Sequence, residues 1–243
     1  MCDNNASIVV WNAPNQTDYG IFVAEYMTHW LPPEVVSDNS SSRTEGQKFA
    51  INNDNTGFAI WELPLNSPPD VYAAKCTLGL WTEETQLTND NIGGINAQIA
   101  MSYNGDAIAV WQRYEKYGHS IVGRIYSSGV WSPIFEISNI NEPNNTAHSP
   151  RVKMDNNGNI VVCWLQTVFK DQTVYSSSFT AGTWFTSGTW STPTPISSTE
   201  GFHDQLDLAL SPTGDAVCVW QKIDYGSTEI AEVGIIQCTK ASF

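Results

Sequence analysis

The sequence predicts an all-β fold made of about five copies of one antiparallel unit. Tryptophans recur at spacings of 50, 50, 53 and 56 residues, and each ends a short apolar run: Trp11, Trp61, Trp111, Trp164 and Trp220. A period of this size indicates a repeated supersecondary unit. Sustained helical periodicity is absent, so the repeated unit is a set of strands.

Each unit contains four predicted strands, which we label a to d. Strand a is predicted at 48–52, 98–102, 151–155 and 207–211. Strand b is the tryptophan run itself. Strand c is predicted at 21–26, 71–76, 121–126, 174–179 and 232–238, and strand d at 34–37, 85–88, 135–138 and 194–197.

Short turns join these strands into a meander. Asn-Gly or Thr-Gly joins a to b at 103–106, 156–159 and 212–215, which favours a two-residue hairpin with both central φ angles positive. A Gly-Trp turn joins c to d. The loops between b and c are longer and variable, and they include residues 112–120 and 165–173.

The distribution of apolar residues indicates how these sheets pack. Strand b is apolar at consecutive positions, so both of its faces are expected to be buried between sheets. Strand a alternates, with large apolar residues on one face and Ala50, Ala100 and Ala209 on the other. Small residues suit a crowded innermost strand.

Four-stranded blades of about 50 residues resemble those of a β-propeller, and five of them resemble the small five-bladed lectin-type propellers. The Gly-Trp turn resembles the Asp-box of sialidase-like propellers, although no unit reproduces the full Ser-x-Asp-x-Gly-x-Thr-Trp motif. The resemblance implies one propeller domain over 1–243, with blades at about 1–47, 48–96, 97–148, 149–205 and 206–243.

The first and last blades are expected to be incomplete, because the first unit lacks strand a and the fifth lacks strand d. An irregular seam, a partner chain or a missing segment would each complete the ring. A fragment of a larger propeller is the alternative.

Composition excludes several classes of partner. The chain carries 25 acidic and 11 basic residues, for a net charge of −14. Such a field repels phosphate, so binding to nucleic acid or to an anionic membrane surface is not expected. No apolar stretch reaches the length of a membrane span. An extracellular or cell-surface location is expected, with Cys2 as a possible lipid-anchor position.

Neither cofactors nor metals are predicted. The five cysteines include no CxxC or Cys/His cluster, and all five are expected to be free thiols. The Asn/Asp-rich turns at 52–57 and 155–159 invite a calcium interpretation. Hairpin chemistry explains them without one, because they lack the register of a calcium loop.

The candidate ligand-binding residues lie at one end of the units. The third b–c loop offers Arg113, Tyr114, Tyr117 and His119, and the d–a crossovers add His148, His203 and Asp204. Arg151 and Asp207 are predicted to line a central channel, at positions equivalent to Lys48 and Gln98. Solvated loops and ion pairs within the channel are the structural alternatives for these residues.

These observations favour a non-catalytic module that presents a loop face to a glycan or protein ligand. No catalytic motif is assembled in the sequence, and its four arginines match no sialidase-type triad pattern. A structural subunit of a larger surface or secreted assembly is the first alternative, and a sialidase-like glycoside hydrolase is the second. The differing b–c loops argue against five identical sugar sites.

Overall fold

The structure is a computed structural model that describes residues 7–223, apart from 15–18, 27, 38–44, 65–67, 90–91, 117, 141–144, 183–187, 200 and 212–213. All regular structure in these residues is β-strand, which confirms the all-β prediction. The described residues include no helix long and apolar enough to cross a membrane.

Five antiparallel sheets follow one another along the chain. Sheet 1 holds β1 (Ser7–Pro14), β2 (Tyr19–Tyr26) and β3 (Glu34–Ser37). Sheet 2 holds β4 (Glu45–Ile51), β5 (Thr56–Leu63), β6 (Asp70–Thr77), β7 (Leu80–Trp81) and β8 (Thr85–Gln86). Sheet 3 holds β9 (Ile95–Met101), β10 (Ala107–Glu115), β11 (Gly118–Ser127), β12 (Val130–Trp131) and β13 (Phe135–Glu136).

Sheets 4 and 5 continue the same order. Sheet 4 holds β14 (Asn145–Met154), β15 (Ile160–Val168), β16 (Asp171–Thr180), β17 (Thr189–Trp190) and β18 (Thr194–Pro195). Sheet 5 holds β19 (Phe202–Leu210) and β20 (Ala216–Ile223). The predicted fifth strand c, at 232–238, lies outside the described residues.

Strand d differs from the prediction, because in sheets 2 to 4 it is divided into two short strands that both pair with strand c. Between and after these two short strands, serine or threonine hydroxyls accept hydrogen bonds from backbone N–H groups of strand c, in place of backbone carbonyls of strand d. In sheet 3, Ser132 Oγ accepts from Ile125 N at 3.0 Å, and Ser138 Oγ accepts from Ile121 N at 2.9 Å. Thr82 and Thr88 make the equivalent bonds in sheet 2, and Ser191 and Ser197 make them in sheet 4.

The a–b turns also differ from the predicted two-residue type. In the third of them, Gly158 N donates to Asp155 O at 3.1 Å, and only Gly158, with φ 84°, has a positive φ angle. The Asp155 carboxylate accepts from the backbone N of Asn157 and Asn159. The turn is therefore an Asx-type loop that ends in a left-handed glycine.

The sheets bury their apolar residues against one another, which gives one core between each successive pair. Trp61, Trp111 and Trp164 are fully buried, and each packs on residues of the preceding sheet. The residues that alternate with them along strand b face the following sheet. The prediction that strand b is buried on both faces is confirmed for sheets 2 to 4, whereas Val9 of sheet 1 and Val217 of sheet 5 are 47% and 38% exposed.

The strands a of neighbouring sheets also lie against one another: β4 contacts β9, β9 contacts β14, and β14 contacts β19. Their larger apolar residues face the preceding sheet, as Val152 and Leu208 show. Ala100 packs on the opposite side, against sheet 4.

The described cysteines are all free and buried: Cys76, Cys163 and Cys218. Cys163 and Cys218 lie in the core between sheets 4 and 5. The thiol of Cys76 lies 3.9 Å from Glu25 Oε1, and burial together with this carboxylate raises the pKa of the thiol to about 11. Cys2 and Cys238 lie outside the described residues.

Candidate functional site

Each described strand a begins with a β-bulge at the same place in its unit. The pairing with strand b is interrupted between Glu45 and Lys48, between Ile95 and Gln98, between His148 and Arg151, and between Asp204 and Asp207. In each bulge the second residue has a left-handed backbone: Gly46, Asn96, Ser149 and Gln205, with φ of 66°, 56°, 54° and 52°. We call this end of the sheets the bulge rim.

Left-handed backbone costs energy for residues other than glycine, and such strain concentrates at functional sites. Here it recurs in three successive units at non-glycine residues. Bulges also redirect the side chains beside them. The bulge rim is therefore a candidate location for a site, although Asn55, Leu78 and Ser128 at the opposite end also have a left-handed backbone.

The b–c connections end at the same rim, and two of them are hairpins instead of the predicted loops. In sheet 3, strands β10 and β11 stay paired as far as Glu115 and Gly118. In sheet 4, strands β15 and β16 stay paired as far as Val168 and Asp171. The side chains of residues 112–115 and 118–120 therefore alternate between the two faces of a sheet.

One face of the sheet 3 hairpin brings two predicted site residues together. Tyr114 and His119 are cross-strand partners, with ring centroids 4.8 Å apart in an edge-to-face arrangement. His119 Nδ1 lies 3.2 Å from Thr146 Oγ1 of strand β14, and the Thr146 hydroxyl also accepts from His119 N at 2.9 Å. This face of the hairpin is thereby joined to sheet 4.

His148 continues the group from sheet 4 to sheet 5. The side-chain N of Gln172 donates to His148 Nε2 at 2.8 Å, and the Thr167 hydroxyl lies 3.3 Å from the same atom. The Gln172 backbone carbonyl in turn accepts from Nδ1 of His203, which is fully buried. We call Tyr114, His119, His148, Gln172 and His203 the histidine cluster.

Burial sets the charge state of this cluster. It lowers the pKa of His119 and of His148, and the neighbouring His119 lowers the pKa of His148 further. Asp204, which is exposed, partly offsets these effects on His148. Both rings are therefore neutral at neutral pH, and each offers one donor and one acceptor.

A half-buried carboxyl lies at the same rim in sheet 2. Glu62 Oε1 accepts from Ala97 N at 3.0 Å, so this side chain reaches from sheet 2 to the bulge of sheet 3. Burial raises the pKa of Glu62, while the backbone N–H groups of Ala97 and Asn96 oppose that shift. Glu45 is its cross-strand neighbour.

The other predicted site residues lie apart from the histidine cluster. Arg113 faces the opposite side of its hairpin, where it pairs with Glu115 at 2.7 Å. Arg151 donates to the Pro150 carbonyl, and Asp207 accepts from Leu208 N. Both lie immediately after a bulge, on strands a of neighbouring sheets. Tyr117 is outside the described residues.

Sequence reasoning missed Gln172, Glu62 and Phe169. Gln172 and Glu62 stood within predicted b–c loops, so nothing in the sequence distinguished them. Phe169 lies at the tip of the β15–β16 hairpin with φ 58° and is 78% exposed. A large apolar residue in a tight polar turn was the signal that could have identified it.

A metal centre gains no support from the described residues. They contain no group of three or more His, Cys, Asp or Glu side chains placed to hold a metal ion. His148 Nε2 is already within bonding distance of Gln172 and Thr167. What the cluster offers is hydrogen bonding beside an aromatic ring.

No protein-family model matches the sequence, and no curated protein matches it. Solved structures share the fold at low identity. A protein of unknown function from Dyadobacter fermentans aligns with a TM-score of 0.62 at 11% identity, over 97% of this chain and 80% of its own.

Two further structures with this fold have names that describe an activity on glycans. An ulvan lyase, described as representing a new family of polysaccharide lyases, aligns with a TM-score of 0.65 at 12% identity, over 93% of this chain and 64% of its own. An intramolecular trans-sialidase from Ruminococcus gnavus aligns with a TM-score of 0.55 at 12% identity, over 90% of this chain and 50% of its own. This chain thus spans less than two thirds of either enzyme.

Proposed function

We propose that this protein is a non-catalytic glycan-binding module whose ligand lies on the bulge rim over the histidine cluster. The observation that carries the proposal is the joining of Tyr114, His119, His148 and His203 across three consecutive sheets. Aromatic rings beside neutral imidazoles, amides and hydroxyls suit a sugar, which presents apolar ring faces and hydroxyl groups.

The architecture that we propose is a single five-bladed β-propeller. It is supported by the succession of sheets that pack face to face and by the contacts between strands a of neighbouring sheets. In such an arrangement the bulges surround one axis at one end, so side chains of different sheets converge on one ligand. A rigid scaffold with side chains fixed by packing loses little entropy on binding.

We further propose that the module works at the cell surface or outside the cell, where free and polymeric glycans occur. The glycan-directed names of two structural neighbours support this location. A protein ligand is the alternative partner, and the exposed Phe169 beside the rim would contribute to that contact.

The test is an array of immobilised glycans, followed by calorimetric titration of each glycan that binds. Tyr114→Ala is expected to weaken binding by about tenfold or more, as for an anchor residue. The matched control is Tyr103→Ala, because Tyr103 is an exposed tyrosine in the β9–β10 turn, at the opposite end of the sheet. An array without binders, or equal losses in both variants, would overturn the proposal.

Binding should also depend on pH with a defined sign. The pKa values of His119 and His148 lie below the ordinary 6.5, so both rings stay neutral above that pH. Protonation at lower pH removes the acceptor that Gln172 uses on His148. Affinity is expected to be constant between pH 7 and 8 and to fall once acidification below pH 6.5 protonates the rings. Affinity that stays constant while the ring resonances of His119 and His148 titrate would exclude the histidines from the site.

A glycoside hydrolase is the second candidate, and Glu62 is the observation that favours it. A carboxyl whose pKa is raised by burial, beside a second carboxyl at Glu45, resembles an acid and its partner. A panel of chromogenic glycosides tests this function. Turnover that Glu62→Gln abolishes would replace the non-catalytic assignment.

A further inference from the structure

A separate cleft lies on the other face of the β10–β11 hairpin, on the side of sheet 3 that faces sheet 2. Its volume is about 490 Å³, and its lining includes Asn89, Arg113, Arg124, Trp131, Ser132 and Ile134. Small-molecule sites have volumes of roughly 300–1,000 Å³, so a sugar unit fits within it.

Two basic side chains line the cleft in a strongly acidic protein. Arg113 and Arg124 both line it, whereas acidic residues outnumber basic ones by 25 to 11 in the whole chain. None of the described residues that line the cleft is acidic. Two arginines close together on such a background favour an anionic ligand.

Both arginines are held in place by neighbours. Arg124 is 8% exposed, and its Nη2 donates to the side-chain oxygen of Asn89. Arg113 donates from Nε and Nη2 to Glu115 Oε1 at 2.8 and 2.7 Å. Glu115 is fixed in turn by the Ser120 hydroxyl at 2.8 Å.

The aromatic wall of the cleft is fixed in the same way. The Trp131 ring lies edge-to-face with Phe58 and Tyr126, at centroid distances of 5.4 and 5.3 Å. An indole held by packing gives a flat apolar surface without an entropy cost on binding. A fixed indole beside two guanidinium groups matches a ring that carries a negative charge.

We propose that this cleft binds an acidic sugar, whose carboxylate lies at Arg113 and Arg124 and whose ring lies against Trp131. Guanidinium groups bind carboxylates by paired, charge-assisted hydrogen bonds. The site does not include the histidine cluster, because Tyr114 and His119 point from the opposite face of the hairpin. The proposal therefore does not depend on binding at the bulge rim.

The probe is the indole N–H resonance of Trp131 in a proton–nitrogen correlation spectrum, assigned by its loss in Trp131→Phe. Glucuronate is expected to shift this resonance to saturation, and glucose at equal concentration is expected to leave it unchanged. A control titration with inorganic sulfate distinguishes binding of an acidic sugar from binding of any small anion. Equal affinity for sulfate and glucuronate, or equal shifts with glucose, would overturn the proposal.

Arginine variants test which charged side chains bind the carboxylate. Arg113→Gln and Arg124→Gln are each expected to weaken glucuronate binding by roughly tenfold or more. The matched control is Lys170→Gln, which removes one positive charge from the exposed β15–β16 turn and is expected to change nothing. Arg113 is 20% exposed, so its variant carries the test if Arg124→Gln fails to fold.

A variant of Glu115 is expected to raise the affinity for glucuronate instead of lowering it. Glu115 competes for Arg113, so Glu115→Gln is expected to tighten glucuronate binding several-fold. A loss of fold would not produce a gain in affinity. Unchanged or weaker binding in Glu115→Gln, together with unaffected binding in Arg113→Gln, would exclude the cleft as an acidic-sugar site.

Discussion

At the scale of single residues, Glu62 shows how a carboxyl group can join two sheets at an energetic cost. Its oxygen satisfies the backbone N–H of Ala97 in the next sheet. Gly46 makes room for it, because a Cβ at that position would lie 2.5 Å from Glu62 Oε1. The geometry needs an acceptor at this position, but it does not need a charge.

We therefore expect Glu62→Gln to raise the free energy of unfolding at pH 7. A pKa raised by burial means that Glu62 contributes stability fully below its ordinary pKa of 4.5 and loses it as the pH rises through the folded value. Glutamine keeps the acceptor and carries no charge. Denaturation curves at pH 4 and pH 7 should show the advantage of the variant growing with pH.

Glu62→Ala is the control for the hydrogen bond itself. It removes the acceptor of Ala97 N, and it should be less stable than Glu62→Gln by about 1 kcal/mol at both pH values. An advantage of glutamine that is equal at pH 4 and pH 7 would contradict the explanation by burial of charge.

Residue types alone identified part of the site. Tyr114, His119, His148 and His203 were selected as polar or aromatic residues near strand ends, and the fold brings these four together. Their use as a ligand site stays a prediction. Arg113 was grouped with Tyr114 by sequence proximity, but alternation along a strand places adjacent residues on opposite faces.

At the scale of elements, the outer parts of sheets 2 to 4 depend on hydroxyl groups that complete a broken ladder. Ser138 is 3% exposed and is the acceptor for Ile121 N. Ser138→Ala is expected to destabilise the protein by about 1–3 kcal/mol, because it leaves a buried N–H without its acceptor. Chemical denaturation measures the loss, and hydrogen exchange at Ile121 locates it.

Ser138→Thr is the matched control, since Thr88 fills the equivalent position in sheet 2 and accepts from Val71 N. It should retain exchange protection at Ile121. Equal protection of this amide in the alanine variant would show that the serine does not complete the ladder.

Strand positions were predictable because apolar alternation is a local property. The bulges were less predictable from the sequence. Glycine and asparagine, found at Gly46 and Asn96, favour a left-handed backbone, whereas the residue types at Ser149 and Gln205 do not. The b–c hairpins were predicted as loops because polar residues dominate them. Pairing at the rim is set by the neighbouring strand, which a single segment does not reveal.

At the scale of the whole molecule, the cores between sheets make each unit depend on its neighbours. Trp111 is fully buried among residues of sheets 2 and 3, while Trp11 in sheet 1 is only partly buried. Trp111→Ala is expected to cost about 3–5 kcal/mol, since it removes buried area and leaves a cavity.

Trp11→Ala should lower the free energy of unfolding by clearly less than Trp111→Ala does. The two variants are comparable because they carry the same substitution at the same position of the repeat. Thermal or chemical unfolding of the two variants measures the difference. Equal losses would mean that sheet 1 is packed as tightly as the others.

The periodic tryptophan was sufficient to predict the number of sheets and their order, because it marks strand b of each unit and enters a core between sheets in four of the five units. A ligand for the bulge rim was not predictable from it. The core residues repeat from unit to unit, whereas the residues at the rim do not.

The orientation of the tryptophans has a consequence for synthesis on the ribosome. Each of Trp61, Trp111, Trp164 and Trp220 rests on a sheet encoded earlier in the chain. A newly emerged indole therefore finds its apolar surface already assembled and does not wait for later sequence. We expect growth from the first sheet onward to cover these indoles during translation, whereas the apolar residues of strand b that face the following sheet are covered only once that sheet is made.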